Sequence, residues 1–293
     1  MTGKLDKVRL AIMAPTLNMC NFLFGVDEGF FRAEGLDVEV LVRPGLRNTE
    51  ALERGEADFG AANECVIQTA LAGPTELRIL LHALRDPLHD LLVQRDIGTL
   101  EDLRGKRVAT PAAGSTPAVQ SRLFFTSQGF EPDRDIFLVP QSHAETMADR
   151  VRKFEDGEYA GLIASPPVPF FLHDKGYRTI TELSTHFPGS ASHGLVTTMA
   201  NISARRPLVE AMVRGYVRGV KALKADRESA LAFISRRFAL ERPIAVRGYE
   251  LMRDRWTAEL SPDSLRTEIE FHARRAGVAP IAPEAVMDAS FAP

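Results

Sequence analysis

The residues best suited to chemistry are small polar ones at points where an apolar run gives way to a helical stretch. Gly114-Ser115-Thr116 is the clearest case. Pro117 can open a helix there, and a glycine, two hydroxyls and free backbone N–H groups at a helix N-terminus suit a carboxylate, sulfonate or phosphate. The same hydroxyls would serve equally as a plain N-cap. Thr16, Asn18, Asn63 and Glu64 stand at comparable helix starts. An Asn both donates and accepts, so Asn18 or Asn63 could fix a ligand's polar edge, and Glu64 could hold an amine or act as a base. As caps they need no ligand. Ser165 opens the turn Ser165-Pro166-Pro167, and Arg85 follows an apolar run. Arg85 could grip an anion with both guanidinium arms, or pair with Asp86 or Asp90.

His143 and His193 each lie in a polar loop beside a serine, Ser142 and Ser192. Either could be a general base near neutral pH; the competing reading is a surface or hydrogen-bonded structural histidine. The seven histidines include no HExxH and no pair at ligand spacing with cysteines, so no metal is expected. Cys20 and Cys65 fall in first turns of helices, where the helix dipole lowers a thiol pKa, although a buried apolar cysteine is the commoner outcome. Phe22, Phe24, Phe170 and Phe171 could stack on an aromatic ligand or simply fill the core. There is no Walker A motif and no GxGxxG after the first strand, so no cofactor is expected.

These residues need elements to hold them. Short β-rich runs at 8–13, 36–42, 57–62, 77–84, 91–94, 108–110, 136–139, 161–164 and 177–183 alternate with helical stretches, the first from about 19 to 33. That alternation predicts an α/β chain with parallel-rich sheets and helices on both faces. The candidate residues then fall in five loops, 14–18, 62–65, 111–116, 141–143 and 165–167, outside the carboxyl ends of strands, where open α/β sheets bind ligands. Beyond residue 205 four helical stretches follow, with apolar residues at three- and four-residue spacing.

Composition narrows the function classes. Of 293 residues, 45% are hydrophobic and 26% charged, an ordinary globular balance. Lys and Arg total 36 against 39 Asp and Glu, a net charge of −3, and no basic stripe is present. Nucleic acid is therefore not expected as a partner. Two cysteines cannot build a disulfide framework. Lys4, Lys7 and Arg9 precede an uncharged stretch at 10–26 with Cys20 inside it, which has the outline of a targeting signal. Pro15, Thr16, Asn18 and Asn21 interrupt the stretch, and Met19 is bulkier than a cleavage site wants. No apolar run is long enough to span a membrane. The expected location is cytoplasmic, or periplasmic if the sequence is a processed form.

At 25–40 the sequence reads GVDEGFFRAEGLDVEV, and in order follow GEADFG (55–60), TLEDLRGKRVA (99–109), AAGST (112–116) and EDGEYAGLIASPP (155–167). This series resembles the SsuA/THI5-like (NMT1-like) family of periplasmic-binding-protein-like domains over roughly residues 8–240. The resemblance implies a type II solute-binding fold of two lobes joined by two crossovers. Lobe one would be 1–85 plus 193–293, with the C-terminal helices packed on it; the inserted lobe two would be 86–192, with a return crossover near 195–199. It implies a solute-binding protein whose lobes close over a small organic anion, a sulfonate, carboxylate or thiamine-precursor-like compound, with an ABC permease as partner. The alternative is a cytoplasmic enzyme on the same scaffold, a cofactor-independent lyase or decarboxylase of a small aromatic or enol carboxylic acid. There Ser115 and Thr116 would hold the carboxylate, Asn18 would orient it, and His143 or His193 would be the base.

Overall fold

The computed structural model describes residues 4–142, 145–188 and 193–292, so His143 lies outside the described residues. Among the described residues ten strands occur in chain order: β1 (Asp6–Ile12), β2 (Leu36–Val42), β3 (Phe59–Gly60), β4 (Leu77–Leu84), β5 (Asp90–Val93), β6 (Arg107–Thr110), β7 (Phe137–Pro140), β8 (Gly161–Ala164), β9 (Arg178–Glu182) and β10 (His193–Thr198). The chain divides into two compact units, one made of Met1–Pro87 with Gly189–Pro293 and the other of Leu88–Pro188.

Unit one holds a five-stranded sheet in the order β2-β1-β3-β10-β4. β1 runs parallel to β2 and β3, whereas β10 runs antiparallel to both β3 and β4. Unit two repeats the plan as β7-β6-β8-β5-β9, with β6 parallel to β7 and β8, and β5 antiparallel to β8 and β9. In each sheet the antiparallel strand sits fourth and is the one the chain enters on arriving from the other unit. Both sheets are thus parallel-rich, covered by helices, and α/β. One expectation needs correcting: residues 195–199 are not a crossover but mostly the interior of β10, hydrogen-bonded to β4 through Leu195↔Leu81 and Thr198↔Leu77.

The apolar runs explain the cores. Ala11, Val66, Ile67, Ile79, Val196, Leu265 and Ile269 meet in unit one; Leu91, Val108, Phe124, Phe125 and Ile163 meet in unit two. Residues 10–26, which had the outline of a targeting signal, are structural. Leu10, Ala11 and Ile12 form the second strand of the sheet and are fully buried, as is Cys20. Removing them would take out a strand flanked on both sides and much of the core beneath it.

The helix expected over 19–33 is shorter. A turn of 3-10 helix at Leu17–Met19 leads into an α-helix at Cys20–Asp27, and a second 3-10 turn covers Arg32–Glu34. Gly29, at φ +78°, interrupts the run, and Gly35, at φ +85°, is the left-handed cap of the second turn. The C-terminal helices, among them Arg206–Ala225 and Pro262–Ala276, belong to unit one.

Candidate functional site

In unit two the loop after β6 delivers Gly114, Ser115 and Thr116 to the start of the helix Thr116–Ser127. Gly114 takes φ +82°, the left-handed conformation that turns the chain into that helix. Ser115 occupies the N-cap position, yet its side chain caps nothing. Its hydroxyl is buried without a hydrogen-bond partner, as are the Thr116 hydroxyl and the side-chain oxygen of Gln120 one turn on. A buried polar atom left unpaired costs about 1–3 kcal/mol. Three such atoms lie within two turns, beside the free N–H groups of a helix N-terminus. The simple N-cap reading of Ser115 is thereby excluded by geometry. Gln120 escaped the sequence reading because nothing in its local pattern separates it from a solvated helix position. Ser165, half-buried, follows the carboxyl end of β8 and precedes a cis Pro166–Pro167 bond. The edge of this sheet therefore gathers Ser115, Thr116 and Ser165 on loops that follow the adjacent strands β6 and β8.

In unit one the segments that follow the adjacent strands β1 and β3 carry Thr16 and Asn18, before and in the 3-10 turn Leu17–Met19, and Asn63 and Glu64, the first residues of the helix Asn63–Ala72. None of the four caps a helix with its side chain: Thr16 and Ala62 hold the N-cap positions, and neither offers a side-chain cap. Asn18 and Asn63 are buried, and Thr16 is half-buried. The Asn63 amide donates to His82 Nδ1 at 2.8 Å, while His82 Nε2 lies 3.1 Å from the Ser261 carbonyl. Gly194 in β10 makes room for this arrangement, since a Cβ there would strike the Asn63 amide and the Leu81 carbonyl. Glu64 is 0% exposed, and its Oε1 lies 3.8 Å from Nδ1 of His193, the first residue of β10. Burial first, and then the charge of Glu268, pushes the Glu64 carboxyl well above the usual carboxylate range.

Three candidate roles are corrected. Arg85 does not pair with Asp86 or Asp90 through its side chain; its guanidinium is engaged by the carboxylate of Glu259. The thiols of Cys20 and Cys65 are fully buried and pushed up by desolvation, so the helix dipole does not make either a nucleophile. Phe22 packs on Tyr216, and Phe24 on Phe30 and Phe233, as core. Phe170 is buried too, and Phe171 is exposed on the outside of its helix. His82, Glu268 and His272 were missed. His82 did leave a trace, as the polar residue inside the apolar run 77–84.

No group of His, Cys, Asp and Glu among the described residues is arranged to hold a metal ion. No helix among them is long and apolar enough to cross a membrane. A cavity of about 460 Å³ opens beside the helix Arg206–Ala225 and Phe291. Arg214 and Arg218 on its wall are already bound to Glu34.

A family model described as NMT1/THI5 like matches residues 16–230. No curated protein matches the sequence. Among solved structures, a protein of Bordetella bronchiseptica RB50 shares 18% identity at a TM-score of 0.82, over 98% of this chain and 96% of that one. The alkanesulfonate-binding protein SsuA from Xanthomonas axonopodis pv. citri, bound to MOPS, shares 16% at a TM-score of 0.78, over 98% of this chain and all (100%) of that one. The periplasmic nitrate-binding protein NrtA from Synechocystis PCC 6803 shares 14% at 0.78, over 98% and 87%. At these identities the likeness is one of fold. With its two like-ordered α/β sheets and a family match spanning most of its length, the chain belongs to the NMT1/THI5-like family and has the two-lobed, type II periplasmic-binding-protein-like fold.

Proposed function

We propose that this chain is a solute-binding protein of the SsuA and NrtA type that takes a small organic anion, a sulfonate, carboxylate or thiamine-precursor-like compound, and delivers it to an ABC permease. One observation carries the anion: the unspent, buried hydroxyls of Ser115 and Thr116 at the start of the helix Thr116–Ser127. Hydroxyl donors and unpaired N–H groups at the positive end of a helix dipole match an oxyanion and oppose a cation. Gly114 supports the site by shaping the turn, and Ser165 is the further contact proposed for it within unit two; Thr16, Asn18, Asn63 and Glu64 remain ligand contacts proposed within unit one. Arg85 is the weakest of the set because Glu259 already holds it.

The test is titration calorimetry with ethanesulfonate, nitrate and benzoate against the wild type and the double variant Ser115→Ala, Thr116→Val. The expected result is at least about a tenfold loss of affinity, equivalent to about 1.4 kcal/mol, with the thermal midpoint retained. Equal affinity in the variant removes the helix start from the site. Failure of every anion to bind sinks the solute reading.

A second reading rests on the proximity of Glu64 Oε1 to His193 Nδ1, 3.8 Å apart. On it the chain is a cofactor-independent lyase or decarboxylase of a small aromatic or enol carboxylic acid, with His193 as base. Incubating benzoate-class acids with excess protein separates the two: recovery of unchanged acid supports the binder, and loss of carbon dioxide or water supports the enzyme. For the compartment, the burial of Leu10, Ala11, Ile12 and most of 17–24 supports a chain that keeps this segment, in the cytoplasm or, as a processed form, in the periplasm. N-terminal sequencing of fractionated native protein decides between them.

A further inference from the structure

The hydroxyls of the helix Thr116–Ser127 and its cap fall into two groups, those spent on the helix's own backbone and those that are not. Ser121 Oγ donates to the Pro117 carbonyl at 2.5 Å, Thr126 Oγ1 to the Arg122 carbonyl at 2.9 Å, and Ser127 Oγ to the Phe124 carbonyl at 2.7 Å. These are the ordinary resting places of hydroxyls within a helix, three or four residues back. Ser115 and Thr116 have no helical carbonyl behind them, and both hydroxyls are buried without a partner. The third unspent atom, Gln120 Oε1, belongs to a side chain only 1% exposed. As a carbonyl oxygen it needs an N–H or O–H, and the backbone N–H groups of a helix interior are already used.

Gln120 stands four residues after Thr116, so the two share one face of the helix. Helical side chains lean toward the N-terminus, and a long one covers the turn before its own Cα. The Gln120 amide therefore belongs over the first turn, which carries Thr116. The other residues that this helix buries near it are Pro117, Val119 and Phe124, which offer no side-chain donor, and Ser121, whose proton is spent on Pro117. Thr116 could donate to Gln120 Oε1, yet the two are not bonded to each other.

The three unspent atoms are chemically unlike. The Ser115 and Thr116 hydroxyls can donate, whereas Gln120 Oε1 can only accept. An oxyanion answers the two hydroxyls and leaves the amide oxygen facing another oxygen with no hydrogen between them. We propose that Gln120 is a specificity-determining residue of the unit-two site, and that the ligand is an oxyanion carrying a hydrogen-bond donor of its own, a hydroxyl or an amine. The proposal rests on the anion-binding reading above. One helical turn between Thr116 and Gln120 places that donor about 4–6 Å from the oxyanion centre, the span of a two-carbon linker. Selection comes mainly from the penalty, because an analogue that lacks the donor leaves a buried acceptor unpaired in the complex.

The test is titration calorimetry of the full chain with ethanesulfonate and 2-hydroxyethanesulfonate. The two carry the same charge on the same two-carbon skeleton and differ by one hydroxyl. The wild type is expected to bind the hydroxylated compound at least about tenfold more tightly. In Gln120→Met, which keeps the length and removes the acceptor, that ratio is expected to fall to about one with the thermal midpoint retained. A residue that only packs the helix would not move the ratio. Gln120→Leu repeats the measurement if the methionine variant does not fold. Equal wild-type affinities overturn the proposal and leave the solute reading intact. A ratio that persists in a folded Gln120 variant overturns the role of Gln120, including the case in which both affinities fall in proportion because the amide donates to the anion itself. Failure of both compounds to bind overturns the anion reading, and the proposal falls with it.

Discussion

Glu64 is a carboxyl in a place where a carboxylate would be expensive, and its stability effect has a definite sign. Its native pKa is raised by burial, so the folded state keeps a proton that the unfolded chain releases once pH passes the ordinary carboxylate range. The stabilisation is complete below that range and is lost as pH rises through the raised native value. Glu64→Gln should therefore flatten the alkaline limb of a thermal-midpoint profile and leave the acid limb nearly untouched; a variant as steep as the wild type would show that the carboxyl is ionised in the fold. Gly194 tests the same corner by sterics. An Ala there would press on the Leu81 carbonyl and the Asn63 amide that holds His82, and should cost about 1–3 kcal/mol in urea unfolding. At this scale the sequence was legible where a polar residue stands next to a break in pattern: Asn63, Glu64, Ser115 and Thr116 all begin helices. Gln120, Glu268 and His272 sit inside helices, and only tertiary packing reveals that their faces are buried.

The element that carries the family resemblance, residues 25–40, is explained by packing rather than by ligand contact. Phe31 tucks its ring beside two glycines, Gly25 on the helix Cys20–Asp27 and Gly215 on the helix Arg206–Ala225. A Cβ on Gly215 would lie 2.7 Å from Phe31 Cδ1 and 3.2 Å from Phe31 Cα, and one on Gly219 would lie 3.3 Å from Gly25 Cα. The two helices approach so closely because neither carries a side chain at the crossing. Gly215→Ala is then expected to destabilise the chain by about 1–3 kcal/mol, chiefly through overpacking against the Phe31 ring. Gly29→Ala meets no neighbour and should cost only the left-handed conformation, about 1–2 kcal/mol. Rescue of Gly215→Ala, but not of Gly29→Ala, by Phe31→Leu in chemical unfolding would separate the two causes. Periodicity located nearly every strand, because buried parallel strands read as apolar runs. It overran the first helix because the residues past Asp27 stay apolar enough to imitate another turn, and the interruption depends on the positive φ of Gly29.

For the whole chain, the decisive fact is which unit is continuous. Unit two is one uninterrupted stretch, Leu88–Pro188, with all five strands of its sheet and its own apolar clusters around Phe124 and Leu162. About 100 residues with a private core are enough to fold alone. Unit one is discontinuous, and its sheet is incomplete without β10, which lies between β3 and β4. The reversal of β10 was not legible in its sequence, since an apolar strand reads the same in either direction and only its two neighbours fix its sense. A fragment spanning Leu88–Pro188 should therefore melt cooperatively and give a dispersed NMR spectrum, whereas a fragment ending at Pro87 should not. The excised unit also carries the whole helix start at which the anion is proposed to bind. Ethanesulfonate should move the backbone amide signals of Ser115, Thr116 and the first helical turn in that fragment, because the unpaired hydroxyls and N–H groups belong to one helix start. A well-folded fragment whose first-turn amides stay still at saturating ethanesulfonate would mean that these hydroxyls are not the anion's partners.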